Sequence, residues 1–116
     1  MIQAAAYGRL GDEPRSFDTK TGTKMVTAAL AVNVDDPENS APIWFRIITF
    51  GRVAEELLRH GKGDLVSVCG RVRRNSWKDR DGNVRERLEV IADAVISART
   101  VRPSGGGRRK QQEAAS

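Results

Sequence analysis

Hydrophobic and polar residues alternate along most of this chain with a period of two, the spacing that sends successive side chains to opposite faces of a strand. In residues 23–34, Val26, Ala28, Leu30, Val32 and Val34 fall on one face. In Ile43–Phe50, Ile43, Phe45, Ile47 and Thr49 share one face, and Trp44, Arg46, Ile48 and Phe50 share the other. In 64–74, Val66, Val68, Gly70 and Val72 oppose Leu65, Ser67, Cys69, Arg71 and Arg73. Residues 1–10 open with a short apolar run that reads as a first strand, and 84–97 read as a long last one. The period changes once. Val53, Ala54, Leu57 and Leu58 have the stripe spacing of a helix. Arg59 and His60 suit the negative end of its dipole, and Gly61 stands where a helix stops.

Turn residues divide these stretches. Gly11, Pro14, Asp18 and Gly22 mark 11–22 as a loop, and Pro37 and Pro42 mark 35–42 as a polar connection. Asp81-Gly82 signals a hairpin with its tip at 75–83. The predicted order is β-β-β-α-β-β. An all-β chain of this size, with one short helix between the third and fourth strands, suits a five-stranded OB-fold barrel; that fold binds oligonucleotides or oligosaccharides on its strand 2–3 face. Other small barrels share the pattern. Gly70 fits a barrel that bends where a side chain would crowd. Residues 1–100 are expected to form the domain. Residues 101–116, with Pro103, Ser104, three glycines at 105–107 and Arg108-Arg109-Lys110, are expected to form a flexible basic tail.

Composition narrows the function. At 116 residues and 39% hydrophobic content the chain holds one small core. No apolar run approaches the roughly 20 residues of a membrane span, and the first residues do not read as a secretory signal, so a cytoplasmic protein is expected. A single cysteine, Cys69, excludes an internal disulfide and reads as a small packed residue. With one histidine and one cysteine no side-chain cluster has structural-zinc spacing, and no metal or cofactor is expected; His60 reads as a helix-end residue.

The net charge of +5 is unevenly placed. Residues 71–87 carry seven basic side chains against three acids, and 99–116 carry five against one; the remainder is slightly acidic. A basic hairpin and a basic tail on such a body are the footprint of a polyanion binder. Few residues are aromatic, yet Trp44, Phe50 and Trp77 sit among arginines. A flat ring accepts a stacked base of any identity, and a guanidinium attracts the phosphate beside it, which is how a single strand is held without its sequence being read. No carboxylate pair, nucleophile–base arrangement or phosphate-binding glycine loop ahead of a helix points to an enzyme.

Over residues 4–97 the chain resembles the bacterial single-stranded DNA-binding protein (SSB) family. The resemblance rests on Gly8-Arg9-Leu10 followed by Pro14, on Trp44-Phe45-Arg46-Ile47-Ile48-Thr49-Phe50-Gly51 and on Val53-Ala54. It continues through residues 61–64, Val68-Cys69-Gly70-Arg71-Val72-Arg73, Trp77-Lys78-Asp79 and Asp81-Gly82. It implies base stacking at Trp44, Phe50 and Trp77, phosphate contacts at Arg46, Arg71 and Arg73, and assembly into homotetramers; the sequence itself equally allows a dimer. Charge and placement add Arg74 and Lys78. The chain departs from the family in two places. Residues 35–42 hold no ring where relatives often carry another stacking aromatic. The end, Arg108-Arg109-Lys110-Gln111-Gln112-Glu113-Ala114-Ala115-Ser116, lacks the acidic, apolar tip that recruits partner enzymes, so recruitment by that route is not expected. Single-stranded DNA is the expected partner, in replication, recombination or repair. An accessory replication protein of the same fold, acting through protein contacts, and an RNA-binding module are the competing readings.

Overall fold

The alternating stretches form strands. The structure, a computed structural model, describes residues 1–97. In chain order the elements are β1 (Ile2–Leu10), β2 (Arg15–Asp18), β3 (Lys24–Val32), β4 (Ile43–Phe50), α1 (Gly51–Leu58), β5 (Leu65–Lys78) and β6 (Val84–Ile96). The tail expected at 101–116 lies outside the described residues.

The hydrogen-bonded order is β1-β5-β6-β4-β3-β2, and β1 also pairs with β3, so five strands close into a ring. Every pairing is antiparallel except β4 with β6. This is the expected OB-fold arrangement, with the helix between the strands read as third and fourth. The sixth strand, β2, lies within the stretch read as a loop. All four of its residues are exposed and only Phe17 is apolar, so it has no alternation to read; it forms because the outer edge of β3 offers unpaired backbone groups.

The inward positions fill the ring. Leu10, Val26, Ala28, Leu30, Ile47, Val66, Val68, Val90, Ala92 and Val95 are buried, with Ala54 and Leu57 of α1 packed against them. Thr49, also fully buried, satisfies its hydroxyl by donating to the Val26 carbonyl at 2.8 Å. Two glycines allow the strands to close. A Cβ on Gly70, where β5 bulges against β6, would stand 2.1 Å from the Ile91 carbonyl oxygen; one on Gly8 would stand 2.1 Å from that of Ala31. β1 meets β3 only at Arg9–Ala31 and Leu10–Leu30. N-terminal to that seam β1 pairs with β5 alone, and a cleft of about 330 Å³ opens between Tyr7, Gly8, Arg9, Ala31, Asn33 and Leu65.

Strand β5 runs to Lys78 rather than Arg74, so the hairpin tip shrinks from 75–83 to a turn at 79–83. The Asp79 amide donates to the Asn83 carbonyl, and the Asp79 carboxylate accepts from the amides of Asp81 and Asn83. Gly82 takes φ 83°, the left-handed region open to glycine. The turn at 19–23 repeats this geometry, with Thr19 in place of Asp79 and Gly22 at φ 84°. His60 stands just beyond α1. Its Nδ1 lies 2.9 Å from the Glu56 carbonyl and its Nε2 meets the Ser97 hydroxyl, tying the helix end to the end of β6.

Candidate nucleic-acid interface

Paired residues on neighbouring strands present their side chains to the same face. The registers therefore map the outer wall of the barrel. One row runs Phe17, Met25, Phe50 across β2, β3 and β4. A second runs Arg15, Thr27, Ile48, Ile91, Arg71. A third runs Ala29, Arg46, Glu89, Arg73. Trp44 pairs with Ala31 on the same side, and along the β5–β6 arm Asn75 pairs with Arg87 and Trp77 with Arg85. Six arginines and a single acid, Glu89, stand in these rows. Six of the eight residues read from the sequence share this wall: Trp44, Arg46, Phe50, Arg71, Arg73 and Trp77. Arg74 and Lys78 have the opposite parity on β5 and stand on the far side of the arm, where Arg74 lies 3.4 Å from Glu86.

The rings are bare. Trp44 is 53% exposed, Phe50 42% and Trp77 43%, whereas Ile47 and Thr49 between them face inward and are fully buried. Trp44 rests on small residues: Ala31 lies across from it, and its six-membered ring lies against Gly11. Trp77 is held differently, with the Arg87 guanidinium 5.5 Å from its ring centre, within cation–π reach.

The cations divide into engaged and free. Glu89 is 2% exposed. Its Oε1 accepts from both Nε and Nη2 of Arg73, at 2.9 and 2.7 Å, and its Oε2 accepts from Arg87 Nη2 at 3.0 Å. Burial pushes the Glu89 carboxyl up, but the hydrogen bonds from Arg73 and Arg87, with the Arg73 charge and Asn75, outweigh it and hold the group below its ordinary value of 4.5. Asp79 is likewise lowered, chiefly by the hydrogen bond from Arg85 at 2.9 Å. Arg46, Arg71 and Lys78 have no ion-pair partner among the described residues. The Arg87 Nε is buried without an acceptor among the described residues.

Sequence reading missed Phe17, Arg15, Arg85, Arg87 and Glu89 as members of this wall. The last three had a signal: the period of two applied to 84–97 puts Arg85, Arg87, Glu89 and Ile91 together. Phe17 had none, because β2 carries no pattern.

The family model described as "Single-strand binding protein family" matches residues 1–98. A protein of Clostridium tetani named single-stranded DNA-binding protein is 33% identical over 100 residues, covering 82% of this chain and 68% of its own length. A protein of the same name from Thermotoga maritima is 38% identical over 95 residues, covering 76% and 67%. The crystal structure of a small single-stranded DNA-binding protein from Streptomyces coelicolor superposes with a TM-score of 0.70 at 22% identity, over 82% of this chain and 92% of that one, which supports the fold. The chain belongs to the single-strand binding protein family.

Proposed function

We propose that this protein binds single-stranded DNA without reading its sequence, laying bases on Trp44, Phe50 and Trp77 and setting phosphates against Arg46 and Arg71, with Arg73 contributing the donors that Glu89 leaves free. Arg74 and Lys78 would meet only a strand that wraps around the arm. The observation that carries the reading is the shared wall: three exposed rings, Trp44 and Phe50 from β4 and Trp77 from β5, stand on one face among six arginines. The family name and the names of its relatives point the same way. Such binding is non-enzymatic and suits replication, recombination or repair in the cytoplasm. Among the described residues no helix is long and apolar enough to cross a membrane.

Self-assembly belongs to the same proposal. Among the described residues the β1 edge from Ile2 to Tyr7 is unpaired on one side and carries exposed Ile2 and Tyr7, the kind of edge that another chain can extend. Homotetramers built from such pairs are the proposed assembly, with a dimer as the simpler outcome of a light-scattering mass measurement.

Titration of tryptophan fluorescence with oligo-dT, duplex DNA and oligo-U tests the function. Quenching by oligo-dT, with log K falling by about 0.7 for each neutralised phosphate per decade of salt, is expected. Equal affinity for duplex, or tighter binding to the RNA strand, overturns the reading.

A further inference from the structure

The Phe17 ring takes no part in the buried core. It stands on the edge strand β2, is 46% exposed, and belongs to a strand with no buried residue. An apolar ring on an open sheet edge invites unwanted pairing, so its exposure calls for an occupant. The register places that occupant. Phe17 pairs with Met25 and Met25 with Phe50, so an apolar row leads from the edge into the ring-bearing wall. Strands lie about 4.8 Å apart, which puts Phe17 about 10 Å from Phe50 across the sheet. The β2–β3 hairpin around it carries Arg15, Lys20 and Lys24 against Asp18, a net positive rim.

We infer that Phe17, with Met25 beside it, is a fourth base-stacking position that carries the single strand beyond Phe50 and onto the β2–β3 hairpin. The inference rests on the proposed DNA-binding role of the wall. The charge around the ring selects a polyanion, and continuity with Phe50 selects the same strand rather than a separate ligand. In this chain the 35–42 connection holds no ring. The β2–β3 hairpin supplies one at the far end of the wall from the Trp77 arm.

The test compares Phe17→Ala, Phe17→Leu and Phe17→Trp with the unaltered chain on oligo-dT of increasing length. Phe17→Ala should weaken binding to long oligomers several-fold and leave oligomers too short to reach past Phe50 unchanged. Phe17→Leu, which keeps an apolar side chain but loses the plane, should behave like alanine. Phe17→Trp should keep the affinity and add a quenched indole. Unchanged affinity of Phe17→Ala at every length overturns the inference while leaving the wall's function standing. So does a change in oligomeric mass without a change in affinity, which would make the ring a protein contact. Failure of the unaltered chain to bind oligo-dT removes both.

Discussion

The six-membered ring of Trp44 lies so close to Gly11 that a Cβ on the glycine would come within 2.4 Å of Cζ3 and 2.7 Å of Cη2. The Gly11 amide is fixed to β3 by donating to the Ala29 carbonyl at 2.9 Å, so the backbone will not move aside. The indole will, because its far edge is free to swing. Gly11→Ala should therefore keep the fold and its melting temperature while tilting Trp44 out of place. Oligo-dT affinity should fall by up to the 1–3 kcal/mol of a stacked base. Full affinity in this variant, measured by titration at fixed salt, would show that the orientation of Trp44 is immaterial.

Removing rings should separate binding from stability. Trp44→Ala and Trp77→Ala each leave exposed positions, so unfolding in urea should change little, while each should weaken oligo-dT binding by about 1–3 kcal/mol. Loss of cooperative unfolding in either variant would mean that the ring supports the barrel.

The ring-bearing wall and the far side of the β5–β6 arm should respond differently to charge removal. Arg46→Gln, on the wall and free of ion pairs, should reduce the salt slope of binding by about 0.7. Arg74→Gln, on the far side and paired with Glu86, should reduce it less. Equal reductions would contradict the face assignment drawn from the registers.

Glu89 sets an acid limit on stability. Its carboxyl is held below 4.5 in the fold, so its contribution is present above the unfolded value and is lost as pH falls through the folded one. Melting temperature should decline from about pH 5 downward. Glu89→Gln should flatten that decline, leaving a remainder from Asp79. Parallel acid limbs in the two proteins would remove Glu89 as the cause.

Gly70→Ala should act on the barrel itself. The new Cβ would meet the Ile91 carbonyl and Ala92 Cα, backbone atoms of a paired strand that cannot rotate away. A loss of about 2–3 kcal/mol in urea unfolding is expected. An unchanged midpoint would mean that the bulge at Cys69/Gly70 yields freely.

What could be read in advance follows from where burial writes a pattern. The strands of the ring bury one face each, so Val26, Ala28, Leu30, Ile47, Val66 and Val68 announce both the strand and its inward side. Trp44 and Phe50 were legible as the complement of that pattern. Beyond the barrel the pattern fails. The arm from Asn75 to Lys78 buries almost nothing and is held by its backbone ladder and by the pairs Arg73–Glu89 and Arg85–Asp79. Its length and the far-side placement of Lys78 were therefore invisible, whereas the period of two in 64–74 already sets Arg74 with Val72, opposite Arg71 and Arg73. Strand β2 is hidden for the same reason, and Phe17 with it. The period of two could place Glu89 on the wall, but it says nothing about an acid sunk between arginines there.

The narrow join between β1 and β3 makes the barrel a clasp rather than a welded hoop. Two residue pairs and the Gly11 amide fasten it, against twelve paired positions between β5 and β6. Thermal breathing should begin at that clasp, so the amide of Ala31, which faces Arg9 across the seam, should exchange with deuterium sooner than those of Val68 or Val90, and a neighbouring chain docked along β1 would act as its latch.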